Sequence, residues 1–97
     1  MTATTCTGPA GFDLPRADAW VLHAALLAWI ERELDDGRTP RFEFTLLRKV
    51  EECERLTTAE LRVVRQVLDT YRSDAPEEDH GTVDSLLADV DDALVEA

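Results

Sequence analysis

The sequence predicts an all-α fold: a four-helix unit built from two consecutive antiparallel helical hairpins. Apolar residues recur every three to four positions along most of the chain, and no stretch alternates with the period of two that marks a strand. Capping signals divide this periodic sequence into four helical segments. One hairpin cannot cover its own apolar face, so two are expected to pack around the single modest core that 97 residues can build.

The first helix is predicted after a short lead-in. Residues 1–12 are dominated by Thr, Gly and Pro, so we expect them to be disordered and the single all-α domain to occupy residues 13–97. Pro15 suits the first turn of a helix, where its missing N–H is no loss. Gly37 is a natural stop for the same helix.

The other three helices begin at recognisable caps. Thr39 and Pro40 combine a capping hydroxyl with a proline at the first helical position. Thr57 and Glu60 have the spacing of a capping box, and Thr82 can cap the last helix. The four predicted helices are 15–36, 40–55, 58–73 and 83–96.

The two predicted hairpins, Leu14–Glu54 and Leu56–Leu94, also resemble each other in sequence. With a shift of 42 positions, Leu14 matches Leu56 and Leu26 matches Leu68. An internal duplication would explain the match. The alternative is that any two amphipathic hairpins look alike, and this alternative stays open.

The composition is strongly acidic. The chain carries 21 acidic against 10 basic residues, for a net charge of −11, and Lys49 is the only lysine. Such a balance is typical of proteins from organisms that accumulate molar salt in the cytosol, where the Debye length is about 3 Å and self-repulsion is screened. We therefore expect a halophilic protein with potassium ions and water at its acidic surface.

The sequence predicts a cytoplasmic protein without a membrane segment. The first residues have neither the basic start nor the apolar stretch of a signal peptide. The longest apolar run, Ala19–Ile30, is well short of the roughly 20 residues needed to cross a bilayer. Cys6 and Cys53 alone form no disulfide framework.

The first helix is apolar around most of its circumference. Such a helix must be covered on nearly all sides, so we expect either a central position in the bundle or a homodimer sealed along it. The alternative is that alanine, a good helix former, simply occupies a solvated face. The predicted self-association face consists of Trp20, Ala24, Leu27, Ala28, Ile30 and Leu34.

Arginines are concentrated in the two middle helices. Residues 38–72 carry a net charge of +2, whereas residues 73–97 carry −9. These arginines could bind an acidic partner or nucleic acid phosphates. The favoured alternative is internal charge balancing, through the i,i+4 pairs Glu51–Arg55 and Arg48–Glu52 and through contacts with the acidic last helix. The candidate acidic-partner surface consists of Arg41, Arg48, Arg55, Arg62, Arg65 and Arg72.

No motif in the sequence indicates catalysis or metal binding. Antiparallel pairing of the first two helices would bring His23 near Cys53, but two ligands fall short of the four that structural zinc requires. No glycine-rich turn or orienting carboxylate accompanies this pair, as nucleophilic catalysis would need. We therefore predict a non-enzymatic protein without a metal or other cofactor.

Three stretches carry a resemblance: AWVLHAALLAWIERELDDGRTP, LLRKVEE and LTTAELRVVRQVLDTY. Over about Phe12–Tyr71 the chain resembles small uncharacterised acidic proteins of haloarchaea, which implies a helical fold in an archaeal cytosol and no known activity. The predicted function is a small interaction or regulatory module that associates with a second copy of itself or with another protein. The alternative is a nucleic-acid-associated regulator that uses the arginines of the second and third helices.

Overall fold

Four α-helices form the bulk of the structure, a computed structural model that describes residues 6–96. The predicted all-α class is confirmed, with one small exception at the N-terminus. The helices are α1, Arg16–Asp35; α2, Arg41–Glu51; α3, Thr58–Arg72; and α4, His80–Glu96.

The N-terminal segment is an ordered arm. Strands β1, Cys6–Thr7, and β2, Asp13–Leu14, pair antiparallel around a 3-10 turn, Pro9–Gly11. The predicted disordered lead-in is therefore wrong for residues 6–12, while residues 1–5 lie outside the described residues. The physical reason is burial, because the side chains of Cys6, Phe12 and Leu14 all belong to the hydrophobic core.

α1 and α2 end in the same motif, with different residues at the key position. In both, the residue two positions past the helix has a positive φ: Gly37 at 81° and Cys53 at 53°. The Cys53 N–H donates to Val50 O, and the Glu54 N–H donates to Lys49 O, which closes a Schellman motif. This motif stops α2 at Glu51, four residues before the predicted end.

α4 begins earlier than predicted. A 3-10 turn over Glu77–Asp79 follows Pro76 and runs directly into the helix, which starts at His80 instead of residue 83. His80 Nε2 lies 3.0 Å from Ala75 O, which ties the first turn of α4 back to the connection from α3.

The helices form two antiparallel pairs. In the first pair, His23 of α1 bonds Glu51 of α2 and Trp29 bonds Glu43. Residue numbers therefore increase along α1 in the direction in which they decrease along α2. In the second, Arg65 bonds Asp91 while Arg72 bonds Asp84 across α3 and α4 in the same sense. α1 contacts all three other helices. The internal duplication stays a prediction.

Glu60 forms the joint between α2 and α3. Glu60 is only 6% exposed, and its carboxylate accepts hydrogen bonds from Lys49 Nζ at 2.6 Å and from the Thr57 N–H at 2.7 Å. The Glu60 N–H donates in turn to Thr57 Oγ1, so the predicted capping box is confirmed. Burial by itself would raise the pKa of Glu60, but the bonds from Lys49 and Thr57 outweigh it and hold the pKa below its usual value.

Truncation of the arm's aromatic residue should destabilise the whole domain. Phe12 is 4% exposed, and we expect Phe12→Ala to lower the free energy of unfolding by about 3 kcal/mol because it opens a cavity in the core. Phe42, at 46% exposed, is the matched control, and Phe42→Ala should cost less than about 1 kcal/mol. Urea unfolding at low protein concentration measures both values. Equal effects of the two substitutions would contradict a structural role for the arm.

The Glu60 joint should make stability depend on pH in the acid range. Because the folded pKa is lowered, the carboxylate stabilises the fold above its unfolded pKa, near 4.5, and this stabilisation is lost as the pH falls through the folded pKa. We expect Glu60→Gln to cost about 2 kcal/mol at pH 7 and much less at pH 3. The exposed Glu54→Gln should have little effect at either pH. Urea unfolding at both pH values tests this, and an unchanged cost of Glu60→Gln at pH 3 would refute it.

Candidate functional site

An exposed apolar stripe runs along the outer face of α1. Trp20, Leu27 and Leu34 are 63%, 40% and 49% exposed, and their spacing of seven residues places them on one line along the helix. The opposite side of α1 carries the buried residues Leu22 and Leu26. We call Trp20, Leu27 and Leu34 the α1 stripe.

The other residues of the predicted self-association face lie differently. Ala24 and Ala28 are half-buried beside the α1 stripe. Ile30 is only 3% exposed, so its inclusion in the exposed face is wrong. Ile30 lies on the side of α1 that faces α2. When a helix is apolar on all sides, periodicity alone does not show which side is covered by a neighbouring helix.

The edge of α2 that faces α1 extends the apolar surface. His23 Nε2 bonds Glu51 Oε2 at 2.8 Å, which fixes the register of the two antiparallel helices. Phe44 lies seven residues before Glu51 and thus on the same edge of α2, at the level of Ile30. Phe44 is half-exposed, so this edge of α2 also presents an aromatic surface to solvent.

A groove of about 560 Å³ lies where the start of α1 meets the end of α2. The Trp20 ring stands edge-on to the His23 ring, with centroids 6.0 Å apart and planes 70° apart. His23 also bonds Glu51, so Trp20, His23 and Glu51 form one wall of the groove. The groove is lined by Arg16, Ala19, Trp20, His23, Val50, Glu51 and Cys53.

Cys53 holds an unusual position in this groove. Its left-handed backbone, which favours glycine, costs a residue with a side chain about 1 kcal/mol. Cys6 lies next to it, because Cys6 Sγ donates at 3.7 Å to Val50 O, the same oxygen that accepts the Cys53 N–H. Burial and the contact with Cys53 raise the pKa of Cys6 to about 12. The sequence pointed to His23 and Cys53 together, but it gave no signal that Cys6 would join them.

The candidate arginine surface is divided by the fold. Arg65 and Arg72 bond Asp91 and Asp84 of α4, which raises the pKa of both guanidinium groups. The other four, Arg41, Arg48, Arg55 and Arg62, are exposed and make no ion pair within residues 6–96.

The expected i,i+4 pairs on α2 do not form within the described part of the chain. α2 ends at Glu51, so Arg55 lies in the following loop and does not continue the line of Arg41 and Arg48 along the helix. Glu51 bonds His23 instead. The sequence did not show this break, because it depends on the backbone conformation of Cys53.

The described residues contain no group of three or more His, Cys, Asp or Glu side chains arranged to hold a metal ion. Within the same residues, no helix has the length and apolar character needed to span a bilayer. The chemistry available at the groove is therefore that of one imidazole–carboxylate pair, one guanidinium, one indole and a thiol.

Comparisons with known proteins place the chain in a family without a known activity. No curated protein matches the chain. No solved structure matches it either. Residues 12–91 match the model of a family of unknown function, DUF7853, which covers the second strand of the arm and all four helices up to Asp91. The chain belongs to this family.

Proposed function

We propose that the protein is a non-enzymatic interaction module that forms a homodimer through α1. The observation that carries the proposal is the α1 stripe. Three large apolar side chains stand exposed at intervals of seven residues, which is the repeat of a helix–helix seam in a coiled coil. Contact between water and such an apolar stripe is unfavourable, and burial of the stripe against a similar surface removes this contact.

A second copy of the chain fits the stripe because the stripe is symmetric about Leu27. Two antiparallel α1 helices related by a two-fold axis at Leu27 place Trp20 of one copy opposite Leu34 of the other at both ends. Each exposed apolar residue then meets another one, as an isologous contact requires.

Charge at the ends of α1 favours the same antiparallel arrangement. Arg16 and Asp35 are the first and last residues of the helix, both are exposed, and neither makes an ion pair within residues 6–96. Antiparallel copies bring Arg16 of each toward Asp35 of the other. A parallel pair would instead place like charges side by side, which selects against it.

Binding of nucleic acid has less support as an alternative function. Two of the six candidate arginines are neutralised by α4, and the net charge of −11 repels phosphates at long range. The four unpaired arginines would have to act from α2, the following loop and α3 without a continuous ridge.

The acidic composition supports a further proposal, that this is a haloarchaeal protein folded for a salt-rich cytosol. α4 and the turn before it carry much of the acidic excess, and only Asp84 and Asp91 on α4 have arginine partners within the described residues. Asp18 illustrates the repulsion. Burial and the nearby charge of Asp89 raise its pKa.

Self-association should depend on Leu27. The two copies of Leu27→Glu would face each other on the two-fold axis, so we expect the dimer to weaken by at least about 100-fold. Val95→Glu is the matched control, since Val95 is highly exposed on α4. Sedimentation across a range of protein concentrations in molar KCl measures both, with circular dichroism to verify the fold. A wild-type protein that stays monomeric at all concentrations, or a Leu27→Glu variant that dimerises normally, would contradict the proposal.

Molar salt should stabilise the fold. We expect the midpoint of thermal unfolding to rise by at least about 5 °C between 0.2 and 3 M KCl, roughly 1 kcal/mol for a domain of this size, because salt screens the repulsion among the acids. Asp89→Asn combined with Asp92→Asn removes two exposed charges that make no ion pair within residues 6–96. This variant should be more stable at low salt and respond less to KCl. A wild-type midpoint that does not rise with salt would count against adaptation to a saline cytosol.

A further inference from the structure

Two cysteines meet where the N-terminal arm touches the end of α2. Cys6 Sγ donates to Val50 O at 3.7 Å, and the Cys53 N–H donates to the same oxygen at 3.3 Å. The Leu56 N–H donates to Thr7 O at 2.8 Å, which holds β1 alongside the segment after α2. These contacts bring the Cys6 thiol and the backbone of Cys53 to the same carbonyl oxygen, so the two cysteines lie side by side although they are far apart in sequence.

The two thiols differ in their access to solvent. Cys6 is fully buried, whereas Cys53 is half-buried and lines the groove beside Trp20 and His23. A small reagent that enters the groove therefore meets the sulfur of Cys53 first. Cys6 lies behind it, within reach of Cys53 but not of the reagent.

The backbone at Cys53 supports a role beyond packing. α1 ends in the same motif with Gly37 at the corresponding position, where a left-handed φ carries no penalty. α2 carries a thiol at this position in spite of the strain. Strained positions of this kind concentrate at functional sites.

We propose that Cys53 and Cys6 form a reversible thiol–disulfide pair that reacts with low-molecular-weight disulfides. The Cys53 thiolate attacks one sulfur of the reagent, the reagent's S–S bond breaks, and one thiolate leaves. Cys6 then loses its proton and attacks the Cys53 sulfur of the mixed disulfide, which releases the second thiolate. The protein pair is oxidised by two electrons, the reagent is reduced to two thiols, and the two protons from the cysteines end on those thiols.

The product ties the arm to the end of α2. The new bond closes the chain between residues 6 and 53, and a loop of this length restricts the unfolded state strongly. Because burial raises the pKa of Cys6, its thiolate is scarce at neutral pH and the second step is slow. The pair therefore responds to sustained oxidising conditions rather than to brief ones. The proposal does not depend on self-association through α1.

The test compares disulfide formation in the folded and unfolded chain. The reduced protein is equilibrated with mixtures of reduced and oxidised glutathione, in buffer and in 8 M urea, and then quenched with acid. Mass spectrometry and peptide mapping follow the intramolecular bond, which lowers the mass by two hydrogens. We expect the equilibrium constant for this bond to be at least about 10-fold larger in the folded protein, because the fold already holds the sulfurs together.

Cys53→Gly is the control variant. It removes the half-buried thiol while it relieves the left-handed backbone, so we expect it to fold at least as stably as the wild type and to form no intramolecular bond. Equal equilibrium constants in buffer and urea would overturn the proposal. A mixed disulfide at Cys53 that never resolves onto Cys6, or a Cys53–Cys53 bond between two chains, would overturn it as well.

Discussion

The buried carboxylate of Glu60 fixes the point at which the two helical pairs join. It closes the capping box at the start of α3 and accepts a hydrogen bond from Lys49 near the end of α2, so one side chain sets the angle between these helices. The segment between them, which contains Cys53, is held at both ends as a result. The arm then docks on this fixed segment through the bond from the Leu56 N–H to Thr7 O. The groove and the cysteine pair thus depend on an interaction that takes no part in their chemistry.

The small size of the domain explains why the arm is part of the core. α2, α3 and α4 each offer only one strongly apolar face, and together with α1 these faces leave an end of the core uncovered in a chain of 97 residues. Phe12 and Leu14 fill that end, and the turn between the strands packs against α4. α1 uses three of its sides for the other helices, yet within residues 6–96 no element is left over to cover the α1 stripe. The exposed stripe is therefore a consequence of how few elements surround α1, and in the proposed dimer a second copy would supply the missing layer at no cost in chain length.

Sequence reasoning could predict the helices whose ends have local causes. The capping box at Thr57 and the stop at Gly37 depend on neighbouring residues, so their positions were predictable. The arm was not, because strands of two residues are too short to show alternation. The end of α2 was missed because cysteine is not a residue expected with a positive φ. At the site, the α1 face was predicted from its composition, whereas the burial of Ile30 and the meeting of Cys6 with Cys53 depend on contacts between distant segments.

Trp20 belongs both to the α1 stripe and to the wall of the groove, and this shared residue couples the two proposals. Burial of the indole in a dimer would cover one side of the path that leads to Cys53. A disulfide between Cys53 and Cys6 would in turn stiffen the arm, which leads through Leu14 into the start of α1, where Arg16 and Trp20 lie. Any factor by which the disulfide changes the dimerisation constant must equal the factor by which dimerisation changes the equilibrium constant for disulfide formation, because both belong to the same thermodynamic cycle. If both proposals hold, the redox state of Cys6 and the half-buried Cys53 at one end of α1 would act on the association of the whole face through Trp20, without any change in the residues of the stripe.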